Sequence, residues 1–246
     1  MKNIILCEGS TDFALIQYYM RKVHAWKDEN PNGITCGNKV KYQRTLSKGS
    51  DTLSIGGCGG CSQIIPVFDS ILEINTLSDT NEAFDKIVII TDRDEIETET
   101  EYIGEIEKVL AERNFKLETN IQNNVWTNVE YNNGRNRKEN AQILLLVIPF
   151  EDTGAMETFL LKAIAQKDSY DANIISECNK FVNAVDAEKR YLTKRRYITK
   201  AKYDVYFSIR TAVDQFQQRQ NLLKNVEWEK YELIQNGFKL LKDLSN

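Results

Sequence analysis

Lys86-Ile87-Val88-Ile89-Ile90-Thr91-Asp92-Arg93-Asp94 is the stretch on which the fold turns. Residues 86–91 form a short, largely β-branched run without polar alternation, the pattern of a parallel strand covered on both faces. The run stops at two carboxylates separated by one arginine. Side chains in an extended chain repeat with period two, so Asp92 and Asp94 are expected on one side and Arg93 on the other.

Working outward, Lys2–Cys7 is a second apolar run that ends in Glu8-Gly9, and 11–26 then spaces Phe13, Ile16, Tyr19, Met20 and Val23 as on a helix. His24 reads as the polar end of that helix. Residues 34–44 read as irregular or hairpin structure. A strand over 51–55 runs into the turn Gly56-Gly57-Cys58-Gly59-Gly60, and a helix over 62–72 follows with Ser62 as its cap. Past Asp94 the spacing predicts a helix over 99–113. Two strand-like stretches, 124–131 and 142–148, are joined by an Asn133-Gly134 turn and read as a hairpin at a sheet edge. Strands alternating with helices predict an α/β fold with a mainly parallel sheet flanked by helices. After Gly154 the pattern becomes helical, over 155–165, 173–185, 199–216 and 228–244. The division expected is therefore an α/β core over 1–150 and a helical portion over 151–246 packed on it.

Ligand sites of open parallel sheets form outside the carboxyl ends of strands. Glu8 follows the first strand and Asp92 and Asp94 follow the central one, so the three converge if those strands are neighbours. Carboxylates packed this closely repel unless a cation neutralises them or some hold protons. Mg²⁺, or Mn²⁺ in its place, suits such oxygen ligands and completes its shell with water or substrate phosphate. The bland reading of an isolated Asp-x-Asp is a solvated turn.

The chain has 246 residues, 41% hydrophobic and 28% charged, with three prolines, as a soluble globular protein would. No apolar run approaches the roughly 20 residues of a membrane span. The opening residues lack the apolar length of a signal peptide, so a cytoplasmic location without membrane contact is expected. Five cysteines and one histidine argue against a disulfide framework, and Cys58 and Cys61 alone leave a zinc site short of ligands. A redox pair, or two small residues in a glycine-rich turn, stay open for them. The net charge is −4, but its distribution is uneven: 92–107 holds eight acids and one arginine, whereas 189–202 holds seven lysines and arginines and no acid. Tyr191, Tyr197 and Tyr203 interleave the basic segment and would either stack on bases or pack.

Glu8-Gly9-Ser10-Thr11-Asp12 after one strand, a glycine turn after a second and Thr91-Asp92-Arg93-Asp94 after a third resemble the Toprim signature. That family includes topoisomerases, primases, small ribonucleases and OLD-family nucleases, and its fold is Rossmann-like. The resemblance implies an acid–base or metal role for Glu8 and Mg²⁺ binding for Asp92 and Asp94. Asp12 matches the acid that OLD-type members carry one helical turn on. Gly154-Ala155-Met156-Glu157 is similar to their additional acidic position, and Lys200-Ala201-Lys202 to their later lysine motif. On the residues alone, Glu157 would equally stabilise a helix N-terminus and Lys200 and Lys202 would equally lie on a solvated face.

The function implied is a metal-dependent endonuclease acting on DNA or RNA, in the setting of prokaryotic anti-phage defence, with Glu8, Lys200 and Lys202 as catalytic residues. The alternative is a non-catalytic subunit that binds nucleic acid or nucleotide beside a separate ATPase, since no Walker A sequence occurs. Self-association is left open. A haloacid-dehalogenase-type phosphohydrolase would place its Asp-x-Asp on the first strand, which here ends in Glu-Gly.

Overall fold

The computed structural model describes residues 1–28, 40–78, 82–214 and 219–245. Among these residues eight strands form one sheet: β1 (Lys2–Cys7), β2 (Lys27–Asp28), β3 (Tyr42–Lys48), β4 (Asp51–Gly57), β5 (Lys86–Asp92), β6 (Lys116–Leu117), β7 (Trp126–Asn132) and β8 (Lys138–Ile148). Their order is β2-β3-β4-β1-β5-β8-β7-β6. The helices are α1 (Ser10–Val23), α2 (Cys61–Leu77), α3 (Thr98–Glu112), α4 (Met156–Lys167), α5 (Ser169–Val185), α6 (Arg195–Arg210), α7 (Arg219–Asn225) and α8 (Glu232–Gly237). Among the described residues no helix is long and apolar enough to cross a membrane.

The α/β class is as expected, but the sheet is mixed rather than mainly parallel. Parallel pairing is confined to the central β4-β1-β5-β8, while β2, β3, β7 and β6 add antiparallel edges. The sequence hid this because β3 alternates weakly and pairs with β4 through the tight Gly49-Ser50 turn. Of the stretch read as irregular, 34–39 lies outside the described residues, and Tyr42–Lys48 is the strand β3. The β7–β8 hairpin exists, held by Asn133, whose side-chain oxygen accepts from the N–H of Arg135 and of Arg137 at 3.0 Å each. It is not at the sheet edge, since β6 pairs outside it.

The central strands are apolar along their length because both faces are covered. Ile5, Val88, Ile90, Leu144 and Leu146 meet α1, α4 and the later helices on one face. Ile4, Leu6, Ile87, Ile89 and Leu145 meet α2 and α3 on the other. Helix boundaries follow their caps. At the start of α1 the Asp12 carboxylate accepts from the Gly9 N–H at 2.8 Å, and Arg21 and Lys22 sit in the last turn. The N-cap of α2 is Gly60 rather than Ser62, a glycine at positive φ that turns the chain from β4 into the helix. Helix α6 begins four residues before the predicted 199 and ends at Arg210; 215 and 216 lie outside the described residues.

The predicted helix over 228–244 is instead broken into 3₁₀ turns at Trp228–Lys230 and Lys239–Leu244 on either side of α8. Its buried residues Trp228, Tyr231, Ile234, Phe238, Leu241 and Leu244 recur mostly every third position, which a 3₁₀ turn satisfies as well as an α-helix. This segment is tied to the amino ends of β1 and β5. Asn3 Nδ2 donates to the Leu244 carbonyl at 2.7 Å, Lys86 Nζ donates to the Asp243 carbonyl, and Trp126 Nε1 donates to Asp243 Oδ2 at 3.2 Å.

Candidate functional site

At the opposite, carboxyl edge of the sheet, the parallel register pairs Cys7 with Ile90. The residues that follow, Glu8 and Thr91-Asp92, therefore come abreast. Glu8 Oε2 accepts from Thr91 Oγ1 and from the Asp92 N–H, both at 3.5 Å. The Glu8 carbonyl accepts from the N–H groups of Gly59 and Gly60 at 2.9 Å each, which fastens the glycine turn to the end of β1. Asp92 Oδ1 accepts from the Met156 N–H at 2.9 Å, so its carboxylate faces the positive end of α4. One residue on, Glu157 is buried and accepts from Thr11 Oγ1 at 3.3 Å.

The period-two expectation at 92–94 holds. Asp92 and Asp94 line a common recess, whereas Arg93 turns into the protein. There its Nε donates to the Pro149 carbonyl at 2.7 Å and its Nη2 to the Phe150 carbonyl at 2.9 Å, with an ion pair to Glu99. The arginine thereby staples the ends of β5 and β8 together behind the acids.

The recess measures about 360 Å³. Glu8, Asp92, Asp94 and Glu157 face it, with Lys41, Tyr42, Arg195, Arg196 and Lys200 around its rim. Arg195 Nη1 donates to the Asp94 carbonyl and lies 3.2 Å from Glu95 Oε1. The acidic and basic stretches of the sequence thus meet at this mouth.

Burial, and secondarily the Asp94 charge, raises the Glu8 carboxyl above its ordinary range, with Lys200 pulling the other way. Burial raises Asp92 well above that range, reinforced by Asp12, Glu8 and Glu157. The Asp12 carboxyl is pushed up to about 7, first by burial and then by Glu157 and Glu8, against the hydrogen bond from Gly9. Carboxyls crowded in this way hold protons or take up a cation. All are hard oxygen donors of the kind that suits Mg²⁺ or Mn²⁺. Among the described residues, however, no three acids, cysteines or histidines are already gathered as a cage for a metal ion. A cation would draw on Glu8, Asp92, Asp94 and Glu157 after side-chain rotation.

Two residues singled out in the sequence stand elsewhere. Asp12 does not line the recess; it sits behind Glu8 as the capping acid of α1. Lys202 lines a neighbouring recess with Thr158 and Lys162, one that shares Gly154, Arg195 and Thr199 with the first, because residues two apart on α6 point in different directions. The rim residues Lys41 and Tyr42 left no local signal, since they reach the site only through the pairing of Tyr42 with Gly57. Arg195 and Arg196 were visible as part of the basic run, and the spacing 195, 196, 199, 200 was the clue to a shared face. Cys61 opens α2, is exposed and lines the recess; Cys58 is buried.

No curated protein matches the sequence. Among solved structures, the crystal structure of hypothetical protein PH0156 from Pyrococcus horikoshii OT3 has a TM-score of 0.54 at 15% identity, covering 99% of this chain and 98% of that one. The two share a fold over their whole lengths. A glyoxylase/bleomycin resistance protein/dioxygenase domain from Frankia sp. EAN1pec, at 14% identity over 57% of this chain and 88% of that one, has a TM-score of 0.17 and carries no argument. The family model described as "Protein of unknown function (DUF3226)" matches residues 2–244, and the chain belongs to that family.

Proposed function

We propose that the protein is a metal-dependent nuclease of the Toprim, OLD-like kind, cutting phosphodiesters of DNA or RNA. The observation that carries this reading is the meeting of Glu8, Asp92, Asp94 and Glu157 in one recess whose rim is cationic. A bound Mg²⁺ or Mn²⁺ would supply an activated water and charge neutralisation at phosphorus. Asp92 and Asp94, at and just past the end of β5, would hold it, and Glu157 on α4 would add a further oxygen. Glu8, whose carboxyl burial has lifted, is suited to hold or pass a proton beside them. Lys200 and the rim arginines receive the phosphate charge. Asp12 supports Glu8 through the α1 cap rather than as a ligand, and Lys202 is left outside the chemistry.

A second reading is favoured by one observation: the acids are partly engaged with protein donors, as Asp92 is with Met156 and Glu157 with Thr11. In that reading the recess binds nucleic acid or nucleotide without turnover, beside a separate ATPase. The two readings part in one assay. Labelled single- and double-stranded DNA, tRNA and plasmid are incubated with the purified chain in Mg²⁺, Mn²⁺ or EDTA, beside Asp92→Asn, which retains an oxygen for the Met156 N–H. The nuclease reading expects metal-dependent cleavage that falls at least about a hundredfold in the variant. No cleavage above the variant, with binding intact, overturns it in favour of the binding subunit.

A further inference from the structure

The segment 189–202, with seven cations and no acid, leads into the recess, since Arg195, Arg196 and Lys200 line it. The loop before α6 has a fixed shape. The Asp186 carboxylate accepts from the N–H groups of Arg190, Tyr191 and Leu192 at 3.0, 2.8 and 2.7 Å. That turn presents Tyr191 to solvent, 71% exposed, with the Arg190 guanidinium 5.4 Å from its ring centroid. The arrangement recurs one step nearer the recess, where Arg196 stands 5.1 Å from the ring of Tyr197, which is 38% exposed. Tyr203 is different: it is fully buried, with its ring centroid 4.5 Å from that of Phe207.

Two rings left in water forgo the gain of burial. A guanidinium held on one side of a ring, as Arg196 is by the hydrogen bond of its Nη2 to the Tyr197 hydroxyl at 3.3 Å, leaves the other face open to a flat partner. Bases offer such faces only when they are unpaired, because in a duplex they are stacked on one another.

We infer that 189–200 is a track for single-stranded nucleic acid, on which Tyr191 and Tyr197 stack unpaired bases while the surrounding cations follow the phosphates to the acidic recess. The inference rests on the nuclease reading only for where the track leads. Binding along it is separable from any cleavage.

The test is fluorescence anisotropy of labelled oligo-dT and oligo-rU strands, and of a duplex of equal length, with the full chain in EDTA at fixed salt. Single strands are expected to bind at least tenfold tighter than the duplex. Tyr191→Ser and Tyr197→Ser are each expected to weaken that binding about tenfold, and Tyr→Phe at the same positions to restore it. Both tyrosines are on the surface, and an unchanged circular dichroism spectrum checks that the variants fold. A preference for oligo-dT or for oligo-rU identifies the strand as DNA or RNA and supports the track in either case. Equal binding of duplex and single strands overturns it, as does full binding by the double serine variant. A wild-type chain that binds strands along the track yet shows no metal-dependent cleavage removes the nuclease reading and leaves the track standing.

Discussion

Asp12 shows how one buried acid sets the behaviour of its neighbours. Its carboxyl is raised to about 7, against about 3.9 in an unfolded chain. The folded state therefore binds the proton more tightly. The associated stability is fully present below the unfolded value and is lost as pH rises through about 7. Glu8 and Asp92 are shifted in the same direction. In EDTA, the melting temperature of the wild type is expected to fall between pH 5 and 8 more steeply than that of Asp12→Asn, whose amide oxygen still meets the Gly9 N–H. Scanning fluorimetry across that range checks it, and parallel curves for the two proteins would count against the shift. Glu8, Asp92, Asp94 and the inward turn of Arg93 were legible in the sequence because a strand end and a period of two are local properties. That Asp12 and Lys202 do not line the recess was not legible, because which side of a helix faces a site depends on packing that no short motif records.

The glycine turn after β4 is the element that fixes the position of Glu8. Gly59 and Gly60 have φ of +92° and +146° and both donate to the Glu8 carbonyl. A Cβ on Gly60 would meet nothing within 4 Å, so the cost of Gly60→Ala is backbone strain alone, about 1–3 kcal/mol. That corresponds to a melting temperature lower by roughly 2–12 °C for a chain of this length. Gly104, inside α3 and equally open, provides the contrast: Gly104→Ala is expected to stabilise by about 0.5–1 kcal/mol through helix propensity. Thermal denaturation of the pair checks both signs. The composition 56–60 announced a turn, and the apolar runs announced β1, β5 and β8. The antiparallel edges stayed hidden because β3, although joined to β4 by a two-residue turn, carries no clear alternation of buried and exposed residues. The segment 228–244 misled because a spacing of three is shared by two kinds of helix.

On the scale of the molecule, one apolar layer joins residues far apart in sequence: Leu15, Tyr19 and Val88 share it with Phe159, Trp228, Phe238 and Leu241. Removing 238–246 takes away three buried apolar side chains, Phe238, Leu241 and Leu244. Each is worth about 2–5 kcal/mol, so together they rival the 5–15 kcal/mol by which whole domains are stable. The shortened chain is expected to bind a hydrophobic dye and to unfold in urea without a cooperative transition; a sharp transition near that of the full chain would refute this. The same layer explains why the helices after 150 were readable as helices while their docking on β1 and β5 was not. The clasp of Leu244 by Asn3 also has a consequence during synthesis. The ribosome makes β1 long before 238–244, yet the cover for one face of the sheet is completed only when those last residues emerge. At roughly 5–20 residues per second that is a wait of about 10–50 seconds, during which the nascent protein presents a greasy, unfinished surface and is a natural client for a holding chaperone.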